Sequence, residues 1–340
     1  MRRTSDSIAT VDELEAYIGK APAPVNLKVI DHLDEGALRW IAASPLVFAG
    51  FGDGSRIGVT LGGGHPGFAG GDAHELRLPT ALLDDPTLAR PGMGFGSLFL
   101  LPGVGETLRV NGRVAKVDGG EFRITVEECY GHCAKALIRS DFWAASPGAA
   151  TPREAAAFLS ASRFMALATI DARGRADLSP KGDPAGTMAS LEDGGAWFAD
   201  RPGNRRVDSF RNIIAQPHVA AALLIPGSTH VAHLSGVARL TTDEAVRARF
   251  VVQGKTPTLV TGIDDPTIDL RESPTLVRAN LWPVKARTEG IDPAKVFVAH
   301  LKLNSDKGLG ARLAGAVLSV PGVTGLLLKG LEKDYKTNLY

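Results

Sequence analysis

An internal repeat constrains the fold of this chain more than any other feature of its sequence. The segment "LLPGVGETLRVNGRVAKV" from Leu100 corresponds to "LIPGSTHVAHLSGVARLT" from Leu224, with a Pro-Gly pair and a later glycine in register. Two further pairs occur in the same order: the segments that begin at Ser44 and Ser162, and "KALIRSDFW" with "PTLVRANLW". Because a repeated sequence block specifies a repeated structural unit, we predict a tandem duplication joined near "AASPGAATP".

Each half has the pattern of a small antiparallel barrel with flanking helices. "FMALATI" and "VAAALLI" predict buried strands, and "IDARGRADLSP" predicts a hairpin that turns at Gly174. Thr151 and Glu154 form a candidate capping box, with Pro152 at the first helical position. No G-x-G-x-x-G motif opens a helix after a strand, which argues against a Rossmann fold. The sequence therefore predicts a β-rich fold with flanking helices.

The composition limits the classes of partner and compartment. In 340 residues the net charge is +1 and aromatic residues make up 6%, so we expect no nucleic-acid-binding face. Two cysteines, Cys129 and Cys133, and an N-terminus without an apolar stretch favour a reduced, cytoplasmic protein. The apolar segment 313–328 is shorter than a membrane span and contains Pro321. We expect a buried helix-turn-helix there, with contact to a membrane surface as the alternative.

The densest cluster of charge is "ADRPGNRRVDSFRNI", residues 199–213, which contains four arginines and two aspartates. A Pro-Gly turn precedes Asn204, Arg205 and Arg206, and a helix is predicted to follow. Unpaired N–H groups at a helix N-terminus, together with arginine forks, bind phosphate. The alternative is a solvated cluster in which the arginines pair with the two aspartates, and this segment alone leaves both interpretations open.

A second segment, "DLSPKGDPAG", favours a ligand at this place. It leaves a strand and presents Ser179, Lys181 and Asp183 on a tight loop. A lysine beside a planar ring system stabilises the negative charge that a flavin ring gains on reduction.

Together these segments resemble the pyridoxamine 5'-phosphate oxidase-like, FMN-binding split-barrel family. The resemblance is carried by "DLSPKGDPAG", "ADRPGNRRVDSFRNI", "VAHLSGVARLTTD" and "RESPTLVRANLW", of which D-R-P-G-N-R-R is the most specific. It covers roughly residues 153–283, and residues 33–143 more faintly. It implies a split β-barrel whose dimer holds FMN at the interface, with the first two motifs from one subunit and the last from the other.

The two halves depart from the family pattern in complementary ways. The first has "GGGHPG" and "LRLPTALLDD" where the second has the lysine loop and the arginine segment, yet it retains "GHCAKALIRSDFW" and "LRVNG". The second has His233 opposite Arg109 and Ala279 opposite Ser140. We therefore predict two tandem split barrels that form an intramolecular pseudo-dimer with one composite flavin site. The candidate cofactor-binding residues are Ser179, Lys181, Asp183, Asp200, Arg201, Asn204, Arg205, Arg206 and Ser209 from the second half, and Arg109, Asn111, Cys133, Lys135, Arg139 and Ser140 from the first.

The resemblance implies a flavin-dependent oxidoreductase that uses FMN and a small-molecule substrate. Two alternatives stay open: a deazaflavin such as F420 in place of FMN, or a non-catalytic protein that binds flavin or haem. No residue stands out as a general acid or base, so catalytic residues stay unassigned. Cys129, His132 and Cys133 lack the spacing of a structural zinc site, and no metal is expected.

We divide the chain into an N-terminal helical lead (1–30), a degenerate split-barrel half (31–146), an FMN-binding half (151–283) and a C-terminal extension (284–340). The two middle segments are called the first half and the second half below. The usual dimer interface is internal in such a pseudo-dimer, so we expect a monomer, with a homodimer as the alternative. In the extension, "DPAKVFVAHLKL" from Asp292 to Leu303 is expected to form a strand.

Overall fold

The computed structural model describes residues 6–20, 26–203, 206–285, 288, 290–304, 334 and 337–340. Its strands are β1 (Ser7–Ile8), β2 (Leu46–Gly52), β3 (Ile57–Gly63), β4 (Gly70–Gly71), β5 (Glu75–Pro79), β6 (Gly94–Leu100), β7 (Thr107–Asp118), β8 (Glu121–His132), β9 (Phe164–Ile170), β10 (Ala176–Gly182), β11 (Ser190–Glu192), β12 (Gly195–Ala199), β13 (His218–Leu224), β14 (His230–Thr241) and β15 (Val260–Glu272). Its α-helices are α1 (Val11–Ile18), α2 (Glu35–Ala43), α3 (Lys135–Arg139), α4 (Ala155–Ala161), α5 (Asp208–Ala215), α6 (Glu244–Ala248), α7 (Pro274–Ala279) and α8 (Pro293–Leu303).

The two halves form separate antiparallel sheets with the same topology. The first sheet has the strand order β3-β2-β6-β7-β8-β5-β4, and the second has the order β10-β9-β13-β14-β15-β12-β11. Each strand of one sheet corresponds to the strand seven places later in the chain. The predicted β-rich fold with two tandem split barrels is confirmed.

The predicted hairpin at "IDARGRADLSP" is present as β9 and β10. Gly174 has a φ of +72°, which glycine adopts without a steric penalty. The Asp171 carboxylate accepts hydrogen bonds from the backbone N–H groups of Arg173 and Arg175, at 2.8 and 2.9 Å. The corresponding turn of the first half uses Asp53 in the same way, so one turn chemistry sets the register of both hairpins.

The two sheets share a hydrophobic core that runs between the halves. The ring centroids of Phe48 and Phe164 lie 5.5 Å apart, and those of Phe142 and Trp282 lie 5.2 Å apart. All four side chains are buried. Because each pair contains one residue from either half, burial of this apolar surface stabilises both barrels together.

The terminal segments are exchanged between the halves. Strand β1 pairs with β14, and Leu14 of α1 is buried in the core of the second half. Helix α8 instead packs on the first half, where Val296 joins the core and His300 Nε2 lies 3.3 Å from Asp34 Oδ1. The N-terminal lead therefore packs on the second half, and the C-terminal helix α8 packs on the first half.

Two expectations for local structure are wrong. Residues 293–303 form a helix rather than a strand: the Asp292 side chain caps it and Pro293 occupies its first turn, which outweighs the strand-like alternation of Val296 and Val298. Helix α4 begins at Ala155 without a side-chain cap. The Thr151 hydroxyl hydrogen-bonds Ser228 Oγ at 2.7 Å instead, so the predicted capping box does not form.

Within the described part of the chain, no helix is long and apolar enough to cross a membrane. The apolar segment 313–328 lies outside the described residues, and so do its two interpretations.

Candidate functional site

A pocket of about 580 Å³ lies where the two halves meet. The second half contributes the end of β10 and the segment between β12 and α5, and the first half contributes the end of β8 and helix α3. The predicted cofactor-binding residues that line it are Arg109, Cys133, Lys135, Arg139, Ser179, Lys181, Asp183, Asp200, Arg201, Arg206 and Ser209. The two predicted groups of residues, one from each half, therefore face one cavity.

Four predicted residues are not seen in this pocket. Asn111 lines a smaller neighbouring cavity of about 230 Å³, where its Nδ2 donates to Glu128 Oε2 at 3.0 Å. Ser140 is buried and donates to the Leu137 carbonyl oxygen. Asn204 and Arg205 lie outside the described residues. Ser140 is turned inward because it ends the short helix α3 and satisfies one of that helix's free carbonyls.

The arginine segment differs in detail from the predicted helix N-terminus. Helix α5 begins at Asp208, and the residue before it, Val207, has a φ of 55° and provides no side-chain cap. The Nε atom of Arg206 lies 2.6 Å from Asp208 Oδ2, and Arg211 lies 2.6 Å from Glu15 on α1. The alternative in which the arginines pair with the two aspartates therefore holds for Arg206, which also lines the pocket, whereas Arg211 pairs with Glu15 outside the segment.

A buried polar network beneath the pocket joins the two halves. Arg109 of the first half donates to Asp177 Oδ1 of the second half at 2.7 Å and to the Tyr130 hydroxyl at 2.6 Å. The Nη2 atom of Arg109 donates to Ser179 Oγ at 3.2 Å. Ser209 Oγ also lies 2.8 Å from Ser179 Oγ. Burial opposes the charge of Arg109, but Asp177 and Tyr130 outweigh it and raise the pKa of its guanidinium. Breaking such a pair leaves a buried charge without its partner.

Lys181 and Asp200 form a long, half-buried ion pair at the pocket wall. The ammonium Nζ lies 3.8 Å from Asp200 Oδ1 and 4.6 Å from the centroid of the Phe210 ring. Burial lowers the pKa of Lys181, and Asp200 opposes this shift. Burial likewise raises the pKa of Asp200, against the effect of Lys181. An ion pair this long leaves donor positions of the ammonium directed at the pocket.

Asp183 is held by a second arginine. Arg201 Nε donates to Asp183 Oδ2 at 2.6 Å, and its NH2 group donates to the Phe250 carbonyl oxygen at 2.8 Å. Burial raises the pKa of the Asp183 carboxyl, and Arg201 opposes the shift. Arg201 thus fixes the orientation of Asp183 and is not itself fully available to a ligand.

The pocket is positively charged although the chain is nearly neutral. Among the described lining residues are seven lysines and arginines but three aspartates. Burial lowers the pKa of His132, which also lines the pocket, well below its usual range, so this imidazole adds no charge near neutral pH. The local excess of cations favours an anionic ligand.

The position related to this pocket by the repeat is closed by direct contacts. Thr275 N on α7 donates to Asp84 Oδ1 of the first half at 2.8 Å, and Ser273 also hydrogen-bonds Asp84. Arg278, the repeat equivalent of Arg139, donates to the Gly63 carbonyl oxygen at 3.2 Å. A Cβ atom on Gly64 would lie only 3.0 Å from Arg278 Cβ. Direct contacts between α7 and the first half therefore fill the place that corresponds to the pocket.

Several lining residues could not be found from the motifs. Asp208 lies inside the arginine segment and could be interpreted there only as a partner for the arginines. Lys255 and Tyr340 also line the pocket, but they belong to segments without a motif or a repeat equivalent. Cys129 and Cys133 separate: the first is in the core of the first half and the second is at the pocket.

Several solved structures are similar to about a third of this chain. The solved structures similar to this chain include HupZ from Group A Streptococcus (17% identity, 34% of this chain and 90% of that one, TM-score 0.28). An F420 reductase has 15% identity over 36% of this chain and 98% of that one, with a TM-score of 0.27. A pyridoxamine 5'-phosphate oxidase-related, FMN binding protein from Nostoc punctiforme has 16% identity over 32% and 75%, with a TM-score of 0.23.

A search of the curated proteins finds no match. A family model described as pyridoxamine 5'-phosphate oxidase matches residues 151–263. That range contains the lysine loop and the arginine segment, the two motifs that carried most of the resemblance. Residues 151–263 of this chain thus resemble the pyridoxamine 5'-phosphate oxidase family, as the two motifs predicted.

Proposed function

We propose that the chain binds one FMN in the pocket between its halves and acts as a flavin-dependent oxidoreductase on a small molecule. The observation that carries the proposal is the composition of the pocket. Motif residues of the second half and retained residues of the first half, far apart in sequence, line a single cavity. The size of the cavity is within the range of cofactor sites in proteins.

The donor set fits a phosphorylated ring system. Within the described chain, the buried Asp183 Oδ1 atom has no hydrogen-bond partner, and neither has Arg109 Nε. The imide N–H of a flavin ring can donate to a carboxylate oxygen such as Asp183 Oδ1, and its carbonyl oxygens can accept from a guanidinium. The excess of lysine and arginine in the pocket suits the phosphate.

We assign the phosphate to Arg206 of the second half, and the ring to the neighbourhood of Lys181. A bound flavin supplies hydride and single-electron transfer through its own ring. The Lys181 ammonium at the pocket wall is partly withdrawn from solvent, where it stabilises added negative charge more strongly than a fully exposed lysine would. The same wall, with Phe210 and Asp200, keeps water from this side of the ring.

The charges beyond the pocket favour FMN over a deazaflavin with a longer acidic tail. Such a tail needs a continuous groove of cations. Arg211, a candidate for its continuation, is paired with Glu15 at 2.6 Å, and Arg206 is paired with Asp208. An acidic tail that extends past Arg206 would therefore have to displace Glu15 before it could pair with Arg211.

The test is an absorbance spectrum of the freshly purified protein, followed by heat release and quantitation of the chromophore. We expect a flavin spectrum and one FMN per chain. Arg206→Met should weaken FMN binding about 10- to 100-fold, since it removes a charge-assisted hydrogen bond of about 1.5–3 kcal/mol. Arg278→Met, at the repeat equivalent of Arg139, is the control and should bind FMN as the unaltered chain does.

Two results would contradict the composite site: two flavins per chain, or no uptake of added FMN. Reduction of the bound FMN by a pyridine nucleotide, followed by reoxidation, is expected of an oxidoreductase. Tightly bound FMN that no such donor reduces would indicate a storage protein instead.

A further inference from the structure

Residues near the end of the sequence contact the first-half side of the pocket. Lys135 Nζ lies 2.8 Å from Asp334 Oδ2, and Arg139 Nε donates to the Leu339 carbonyl oxygen at 2.6 Å. The Lys135 side chain is only 5% exposed. Its partner Asp334 is 41% exposed, so solvent screens the pair from one side only. The two cations of helix α3 are thus already engaged by the protein itself.

The ring of Tyr340 lies between two guanidinium groups of the pocket wall. The ring centroid is 5.5 Å from Arg139 Cζ and 5.6 Å from Arg201 Cζ. Lys255 Nζ donates to the Tyr340 carbonyl oxygen at 2.6 Å. Each guanidinium lies within the distance at which a cation and an aromatic face attract each other. Tyr340 is also one of the lining residues, so it faces any ligand in the cavity.

These contacts divide the pocket into two chemically different ends. At the second-half end, Lys181 and Arg206 face a ligand. At the other end, Lys135 and Arg139 of the first half and Lys255 of the second half face carboxylate and main-chain oxygens of residues 334, 339 and 340. A further anionic group of a ligand would have to displace these oxygens before it could pair with the same cations.

We infer that Asp334, Leu339 and Tyr340 form a strap that restricts the pocket to ligands with one short anionic end. The strap occupies the three cations that would otherwise extend the positive surface, and Tyr340 offers a planar apolar face in their place. FMN, with a single phosphate, fits this restriction, and a deazaflavin with additional carboxylates does not. The inference rests on the proposed flavin site and adds the element that selects between its two candidate cofactors.

The experiment compares the full chain with the double variant Asp334→Ala, Tyr340→Ala. Dissociation constants for FMN and for F420 are measured by fluorescence titration. In the double variant we expect at least 10-fold tighter binding of F420 and less than a 3-fold change for FMN, because the released cations serve only the longer acidic tail. Asp118→Ala is the control, since it removes the same charge from the distant tip of the β7–β8 hairpin.

Cys133 provides a second readout that needs no cofactor. It lines the pocket, whereas Cys129, the chain's other cysteine, is completely buried. We expect the double variant to react with the thiol reagent DTNB at least 5-fold faster than the full chain. Cys133→Ser in the same background should abolish this reaction, which assigns the signal to the pocket.

The outcomes separate the strap from the flavin proposal. If the full chain binds FMN but the double variant changes neither the ratio of the two affinities nor the labelling rate, the strap is wrong and the flavin site stands. If neither chain binds either cofactor, the proposed function fails and the selective role of the strap fails with it. A changed affinity ratio together with faster labelling supports both.

Discussion

Lys28 belongs to no sequence motif, yet it lies beside the buried polar network of Arg109 and Tyr130 beneath the pocket. It is 7% exposed, donates to the Gly131 carbonyl oxygen at 2.8 Å, and lies 5.5 Å from the centroid of the Tyr130 ring. Burial, together with the neighbouring Arg206 and Arg109, lowers its pKa to about 8 against the opposing effect of Cys133. The sequence offers no signal for this, because an isolated lysine is usually exposed.

This lowered pKa predicts how stability depends on pH. Between about pH 8 and the ordinary lysine value of about 10.4, the unfolded chain binds more protons than the folded one, so the free energy of unfolding rises with pH through that window. Below about pH 8 the lysine is charged in both states and its burial cost is constant. Lys28→Met should therefore stabilise the protein by about 1–3 kcal/mol at pH 7, and less at about pH 10.

Urea unfolding of Lys28→Met at the two pH values checks this. The exposed Lys116→Met serves as the control and should leave the pH dependence unchanged. A stability difference between Lys28→Met and the unaltered chain that does not shrink between the lower and the higher pH would show that Lys28 is not buried as a charged group.

At the scale of elements, the contact between β10 and α3 holds the two sides of the pocket together. Gly182, the last residue of β10, lines the cavity, and a Cβ atom built on it would lie 1.9 Å from the Ala136 carbonyl oxygen. Only glycine allows the second-half strand to approach the first-half helix so closely. Lys181, which lies on β10 and not on the predicted loop, and Asp183, which follows the strand, are thereby fixed against the helix that carries Lys135 and Arg139.

Gly182→Ala is expected to separate α3 from β10. It should weaken FMN binding at least 10-fold and cost about 1–3 kcal/mol of stability, as overpacking commonly does. Gly54→Ala is the matched control, because no atom lies within 4 Å of the Cβ that it would add. Flavin titration and urea unfolding measure the two effects, and unchanged FMN binding by Gly182→Ala would mean that this contact does not shape the site.

At the scale of the whole molecule, the exchange of the terminal segments links the halves into one unit. Leu14 completes the second-half core and Val296 the first-half core, while the Arg109–Asp177 pair and the shared aromatic core cross between them. The hydrophobic core of neither half is built from a continuous stretch of sequence. Such a molecule should unfold cooperatively even though it consists of two repeated domains.

Calorimetry tests this cooperativity. Leu14→Ala should destabilise the protein by about 2–5 kcal/mol, and Val296→Ala by somewhat less. Each variant should lower the midpoint of one and the same unfolding transition, although the two residues belong to different barrels. Two separate transitions, each shifted by only one of the variants, would show that the halves fold independently.

The sequence by itself determined the repeat, the β-rich fold and eleven of the residues that line the pocket. Strand alternation, the Asp53 and Asp171 turns and the lysine and arginine motifs are local patterns, and local physics is the same wherever the segment packs. The resemblance of residues 151–263 to a known family followed from those motifs. That residues of both halves would meet at one pocket was also predicted, because the losses in the two halves are complementary.

Only the tertiary structure decided how these parts are combined. It placed the lead on the second half, made residues 293–303 a helix on the first, began α5 at Asp208, and brought Lys255 and Tyr340 to the pocket. These features depend on contacts between residues far apart in the chain, such as Lys135 with Asp334. The energy of such contacts comes from burial and charge pairing in the folded state, which no local pattern of residues encodes.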